Sequence, residues 1–373
     1  MEKETLYTMA LTRVPRLNVL TQRYLYDTLG SATAVYENRH HLPDVIPDAA
    51  PALIEALAHM DDVLPRVEQE LAWDEKKHIR VLCMNDAAYP ARLRECVDAP
   101  LVLYYLGHAD LNSMHIINMV GTRQCTEYGK DLCRNFIAEL ASLVPDTLII
   151  SGLAYGVDIQ AHRNALQNGM GTVGVLAHGL DQIYPRLHRQ TAMEMLPNGG
   201  LLTEYISGTT PEKMNFVARN RIVAGMAEAT VVVESASKGG SLITARLAGD
   251  YNREVFAFPG RIADAYSAGC NQLIREQKAH LLTSAQDMIE LLGWQTQADA
   301  EARRRQPVQR ELFVELTDEE QRVVKALQGA EGKPANQLVQ EVGISFGQLS
   351  ALLIGMEMRG IVKQMVGGMY RLL

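Results

Sequence analysis

A chain of 373 residues is too long for one small hydrophobic core and implies two or three domains. With 47% apolar and 21% charged residues, and no apolar run near the ~20 residues of a membrane span, it reads as an ordinary globular chain outside the membrane. A formal net charge of -8 argues against a surface coated in nucleic acid, although a local basic patch governs its own surroundings.

The start, Met1-Glu2-Lys3-Glu4, is acidic and has no apolar core of a signal peptide. Residues 6–71 read as short helices, with apolar side chains at helical spacing through Leu17, Leu20, Tyr24, Leu25 and Leu29. Gly30 ends one helix and Ser31 offers a cap to the next. Residues 11–17 sit where a helix-hairpin-helix places its turn, but they lack the glycines that let backbone amides approach a phosphate. Residues 1–75 are therefore assigned to a small helical, SAM/helix-hairpin-helix-like domain with a degenerate turn.

Residues 79–107 carry two short strands, around Arg80-Val81-Leu82-Cys83 and Leu101-Val102-Leu103-Tyr104-Tyr105. From Ile116 the pattern becomes regular. Apolar strands at 116–120, 148–150, 173–176, 201–203, 231–233 and 255–258 alternate with helical stretches. Such strands mean a parallel sheet covered on both faces, here a Rossmann-like α/β domain over residues 76–293. Small or polar residues follow the strands. Gly121-Thr122-Arg123 comes after the first and Ser151-Gly152-Leu153-Ala154-Tyr155-Gly156 after the second. His178-Gly179-Leu180-Asp181 follows the third, Lys238-Gly239-Gly240-Ser241 the fifth and Pro259-Gly260 the sixth. They fall on the sheet edge where open α/β sheets bind ligands.

Gly121 lets the backbone approach an anion and Arg123 can grip a phosphate, although a plain turn with an exposed arginine fits the same tripeptide. Ser151 and Gly152 open a strand-to-helix turn whose amides are expected to face an anion. Asp158 and His162, one helical turn apart, are either an acid-base pair or a pair packing a helix on the sheet. Gly240 and Ser241 begin another helix and make a second anion cradle. None of these loops is a P-loop or a dinucleotide fingerprint. Several phosphate contacts without a nucleotide motif suit a polynucleotide strand.

The stretch Lys213-Met214-Asn215-Phe216-Val217-Ala218-Arg219-Asn220-Arg221 holds three cations, two amides, one aromatic and no acid. That composition makes a surface for phosphates and an unstacked base; a solvated helix start with Phe216 in the core is the competing reading. Residues 294–315 form a polar linker that includes Arg303-Arg304-Arg305. Residues 316–373 form a winged-helix-like domain. Thr317 and Glu320 make a capping box, Gly343 a turn, Ser345 a helix start, and a hairpin closes around Gly367-Gly368. Its third helix carries only Glu357 as a charge, so protein contact is at least as fitting a role as groove reading.

Taken together, Gly121-Thr122-Arg123, residues 151–158, Gly179-Leu180-Asp181 with Tyr184-Pro185, residues 216–221, residues 240–245 and Pro259-Gly260 resemble the DNA-processing DprA/Smf family. The resemblance runs in order from about residue 116 to 292. It implies a cytoplasmic, non-enzymatic protein that binds single-stranded DNA and loads the RecA recombinase onto it in natural transformation and recombination. It also implies a homodimer through the sheet domain. Residues 271–292, a late apolar-rich edge element with Leu273, Ile274, Leu281 and Leu282, are the expected contact surface, with the monomer core as the competing place for them. Carried over by position, Arg123 contacts phosphate, Lys213 and Phe216 match the family's lysine and base-contacting aromatic, Arg219, Asn220 and Arg221 its arginine-rich turn, and Gly240 and Ser241 its phosphate loop. Val217 stands where the family commonly has proline, His178 where it has glycine and His188 where it often has asparagine.

The alternative is a nucleotide-processing enzyme of the related phosphoribohydrolase type. There, a similar glycine loop is followed by a catalytic glutamate. Residues 242–248 contain no acid, which favours binding over hydrolysis, while Glu204 and Glu234 near the same edge keep the enzyme reading open. The five cysteines (Cys83, Cys96, Cys125, Cys133 and Cys270) form no closely spaced pair of metal-ligand kind, so reduced thiols, no metal and no cofactor are expected.

Overall fold

Apolar residues on both sides of a strand require cover on both sides of the sheet, and the chain provides it. The computed structural model describes residues 3–296, 316–328, 332–365 and 369–372. It falls into two units, residues 1–300 and 301–373. Among its described residues the first holds nine strands: β1 (Arg80–Cys83), β2 (Val102–Gly107), β3 (Ile116–Val120), β4 (Leu148–Ser151), β5 (Thr172–Val175), β6 (Gly200–Thr203), β7 (Ala229–Val232), β8 (Glu254–Ala257) and β9 (His280–Leu281). They pair in the order β1-β2-β6-β5-β4-β3-β7-β8-β9. From β6 to β9 all neighbours are parallel, and β2 adds to β6 antiparallel, with β1 beyond it. The order reverses between β3 and β7.

The period-two alternation of the strands sorts their side chains into two cores. Ile116, Val120 and Ile150 face one cluster; Ile117, Met119 and Ile149 face the other. The first cluster also takes in Met9, Leu11, Leu25 and Leu57, so the N-terminal helices and the sheet share one core. Gly30 takes a left-handed φ of 83° and its N–H bonds Tyr26 O, while the Ser31 hydroxyl accepts from Ala34 N, which is the stop-and-start expected there. Arg16, in the glycine-free turn, also has a positive φ, of 68°.

Of the residues expected on a dimer surface, Leu273 and Leu282 are buried in the chain's own cores, Ile274 packs against one of them, and Leu281 is 52% exposed on β9. Three of the four thus pack within the chain itself, and Leu281 alone of them stays exposed. Strand β9 itself was not foreseen.

The second unit has helices Asp318–Leu327, Ala335–Val342 and Phe346–Met358 with a sheet of β10 (Lys333–Pro334), β11 (Val362–Met365) and β12 (Met369–Leu372), a winged-helix arrangement around Val323, Leu338, Leu349 and Leu353. The Thr317–Glu320 capping box forms, Gly343 has a φ of 75°, and Ser345 caps the third helix. The arginines at 303–305 and the hairpin tip at 366–368 lie outside the described residues. No single described helix is long and apolar enough to cross a membrane.

Candidate nucleic-acid interface

The helix Lys213–Met226 has two halves of opposite character. Its C-terminal half, Ile222 to Met226, is buried throughout, and Asn118 in the middle of β3 donates from Nδ2 to Val223 O at 3.1 Å and to Thr230 Oγ1 at 2.8 Å. This buried amide ties the helix to β3 and β7, where the strand order reverses. The N-terminal half therefore projects over the carboxyl ends of these strands, the position of ligand sites in open α/β sheets. Its first turn has no acidic residue, and its cap, Glu212, makes no side-chain bond to the helix amides, which leaves them free for another acceptor.

Lys213, Phe216, Arg219 and Asn220 from this helix line a cavity of about 550 Å³ with Gly121, Thr122 and Arg123 after β3, Gly152 after β4, and Gly240 and Ser241 after β7. Arg123 and Lys213 are exposed, and among the described residues neither meets a carboxylate. The Arg123 guanidinium stands 5.4 Å from the centre of the half-buried Phe216 ring. The Tyr184 ring is 5.8 Å from that ring, centre to centre.

Four of the expected contacts are placed differently. Arg221 lies outside the cavity lining, buried, with both terminal nitrogens on the Glu204 carboxylate at 2.8 and 2.6 Å. Arg219 is 4% exposed beneath the cavity, and its Nη1 donates to Val175 O. A Cβ on Gly152 would stand 2.2 Å from this guanidinium, so the glycine makes room for the arginine rather than for a ligand. Ser151 is buried, outside the lining, and donates to Met119 O at 2.6 Å. The amides after β4 do not face an open anion site either, because Asp158 Oδ2 accepts from Gly152 N at 3.2 Å and Ala154 N at 3.3 Å. The chain supplies its own anion there. For the two arginines the physical reason is the same: a charge taken out of water needs a partner, and the strand ends provide one; the Ser151 hydroxyl, buried and neutral, likewise takes a backbone acceptor.

Asp158 and His162 do not pair with each other. The His162 ring bonds Thr172 Oγ1 at 2.7 Å. Burial lowers its pKa to about 3 and keeps the ring neutral. Burial also pushes the Asp158 carboxyl up, against the pull of Arg219, and pushes the Arg219 guanidinium down, against the pull of Asp158.

The helix Ser241–Asp250 starts at the cavity with no side-chain cap. Ser241 is buried and its hydroxyl donates to Ser235 Oγ at 2.9 Å. Gly240 differs from the other lining glycines. A Cβ added to it meets nothing within 4 Å, and the open space it faces is the cavity. By contrast, a Cβ on Gly121 would stand 2.3 Å from Val157.

The carboxylates near this edge are committed. Glu234 accepts from Thr126 N at 2.9 Å and Thr126 Oγ1 at 2.6 Å, holding the start of the helix Glu127–Leu143. Glu204 holds Arg221. Asp158 is the one acidic residue among the described lining residues. Tyr184 and Thr122 were not singled out as contacts, although both sit inside motifs the sequence displays.

A family model described as DNA recombination-mediator protein A matches residues 80–293, and one described as the DprA winged helix domain matches residues 309–368. Protein Smf of Escherichia coli is 31% identical over 363 residues, covering 96% of this chain and 94% of that one. The X-ray structure of DNA processing protein A from Streptococcus pneumoniae superposes with a TM-score of 0.66 at 32% identity, over 78% of this chain and 98% of that one. The structure of DNA processing protein A from Helicobacter pylori, described for its single-stranded DNA binding mode, superposes with a TM-score of 0.52 at 31% identity, over 58% of this chain and 97% of that one.

Proposed function

The chain belongs to the DprA/Smf family of DNA recombination-mediator proteins, and from that premise we propose that it binds single-stranded DNA in the cavity between β3, β7 and the helix Lys213–Met226. One observation carries this reading. Two exposed cations without carboxylate partners, Arg123 and Lys213, flank a half-buried aromatic ring at the strand-order reversal. Cations take phosphates without regard to sequence, and a ring face accepts any base. In this reading Arg123 and Lys213 contact phosphates, Phe216 stacks on a base, Asn220 hydrogen-bonds to the strand, and Gly240 with the Ser241 backbone receives a further phosphate. Arg219, Arg221, Ser151 and Gly152 shape the site from beneath, and Gly121 spaces its loop.

The function is to mediate recombination by loading a RecA-type recombinase onto the bound strand in the cytoplasm, as a homodimer and without a catalytic step, metal or cofactor. The commitment of Glu204, Glu234 and Asp158 to protein partners supports binding over hydrolysis, since none is left free to act as a general base. A gel-shift series with single strands, duplex and mononucleotides tests the reading. Single strands are expected to bind tightest; preference for a mononucleotide, with turnover, favours the phosphoribohydrolase alternative instead.

A further inference from the structure

Beyond Phe216 a chain of ring contacts leads from the cavity lining to exposed surface. Tyr184, beside Phe216, is 46% exposed. Four residues on, the buried ring of His188 packs edge-on against Tyr155 at 5.1 Å, and Tyr155 is 45% exposed. Both tyrosines are held from below. Tyr184 N donates to His178 Nε2 at 3.2 Å, and the His188 ring bonds Leu153 O at 2.8 Å, two residues before Tyr155. Tyr155 also adjoins the cationic rim, because its neighbour Gly156 lies so close to Arg123 that a Cβ there would stand 2.7 Å from Arg123 Cα.

Two and five residues after Tyr184, Arg186 and Arg189 are exposed on the turn Arg186–His188 and the helix that follows it, and among the described residues neither has a carboxylate partner. A single exposed tyrosine needs no explanation. Two of them joined by one buttressed turn, continuous with a base-sized cavity and followed by unpaired arginines, have the composition of a single-strand track.

We propose that the bound strand leaves the cavity over the Tyr184–Tyr155 ledge, with a second base stacked on Tyr155 and Arg186 and Arg189 taking the phosphates beyond it. This rests on the reading of the cavity as a single-strand site and extends it by a subsite outside Phe216.

Oligothymidylates of increasing length test it, titrated by anisotropy against the wild type, Tyr155→Ala, Tyr155→Phe and Arg123→Ala. Tyr155→Ala is expected to weaken long oligomers about 5- to 150-fold and to leave the shortest binding oligomers unchanged. Tyr155→Phe is expected to bind as the wild type, and Arg123→Ala to weaken at every length. In Tyr155→Trp, indole fluorescence above that of Trp73 and Trp294 is expected to be quenched by long oligomers only. If Tyr155→Ala matches the wild type at all lengths, or weakens all lengths equally, the outer subsite is overturned while the cavity reading stands on Arg123→Ala. If Arg123→Ala also binds like the wild type, the cavity reading falls and takes the subsite with it.

Discussion

Four arginine and lysine side chains in the proposed site look alike in the sequence and act in two different ways. Arg123 and Lys213 keep their charge in water, whereas Arg219 and Arg221 are buried against partners from other strand ends. Replacing Arg221 by alanine leaves the Glu204 carboxylate buried and alone, which costs about 3–5 kcal/mol of folding stability. Chemical denaturation of Arg221→Ala is expected to register that loss, and a stability equal to the wild type's would contradict the structural role. The sequence displayed the cations but not this division, because the partners, Glu204 and Val175, lie 17 and 44 residues away at the ends of neighbouring strands. Phe216 is the third kind of residue. Stacking on an aromatic ring is worth about 1–3 kcal/mol per base, so Phe216→Ala is expected to weaken single-strand affinity by that amount with an unchanged salt slope. Its ring is only half-buried, so the melting temperature should fall less than for a core phenylalanine. A melting temperature that collapses together with the affinity assigns the ring to the core instead.

Elements, more than residues, were legible in advance. Strands with two apolar faces and small residues after them announce a parallel sheet wherever they occur, and β3 to β8 follow that pattern within a residue or two. The antiparallel edge was not legible as part of the same sheet, because β2 pairs with β6 across about a hundred residues and nothing local encodes the partner. Two elements carry predictions. At the start of the helix Ser241–Asp250, Gly240→Ala adds a methyl group to open cavity space in a helical backbone conformation. Stability is expected to hold or rise slightly. Single-strand affinity is expected to fall; an unaffected affinity would mean that no phosphate approaches that loop. In the helix Val157–Gln167, His162 is neutral because burial holds its pKa at about 3, below the ordinary 6.5. A group with a depressed cationic pKa contributes stability that is fully present above about 6.5 and is lost as pH falls towards about 3. Melting temperatures should therefore decline with acid across that window, and His162→Gln should decline less steeply. Parallel curves for the two proteins would show that another group governs acid unfolding.

At the scale of the whole molecule, a chain with a net charge of -8 concentrates its proposed nucleic-acid contacts in the unit formed by residues 1–300. The winged-helix unit offers little for DNA on its third helix, where Phe346, Ile354 and Met358 are exposed and Glu357 is the only charged residue from Phe346 to Met358. Removal of residues 316–373 is therefore expected to leave single-strand affinity nearly intact, and a large loss in the same anisotropy assay would relocate the binding site. The central claim is that two exposed cations beside an aromatic ring hold the phosphates of a single strand. Its most direct test is the salt dependence of oligothymidylate affinity for the wild type and for the double variant Arg123→Ala/Lys213→Ala. Each lost phosphate contact flattens the log-log slope by about 0.7 on single strands, so the double variant should be shallower by about 1.4. A double variant that is folded and binds with the wild-type slope would contradict the account.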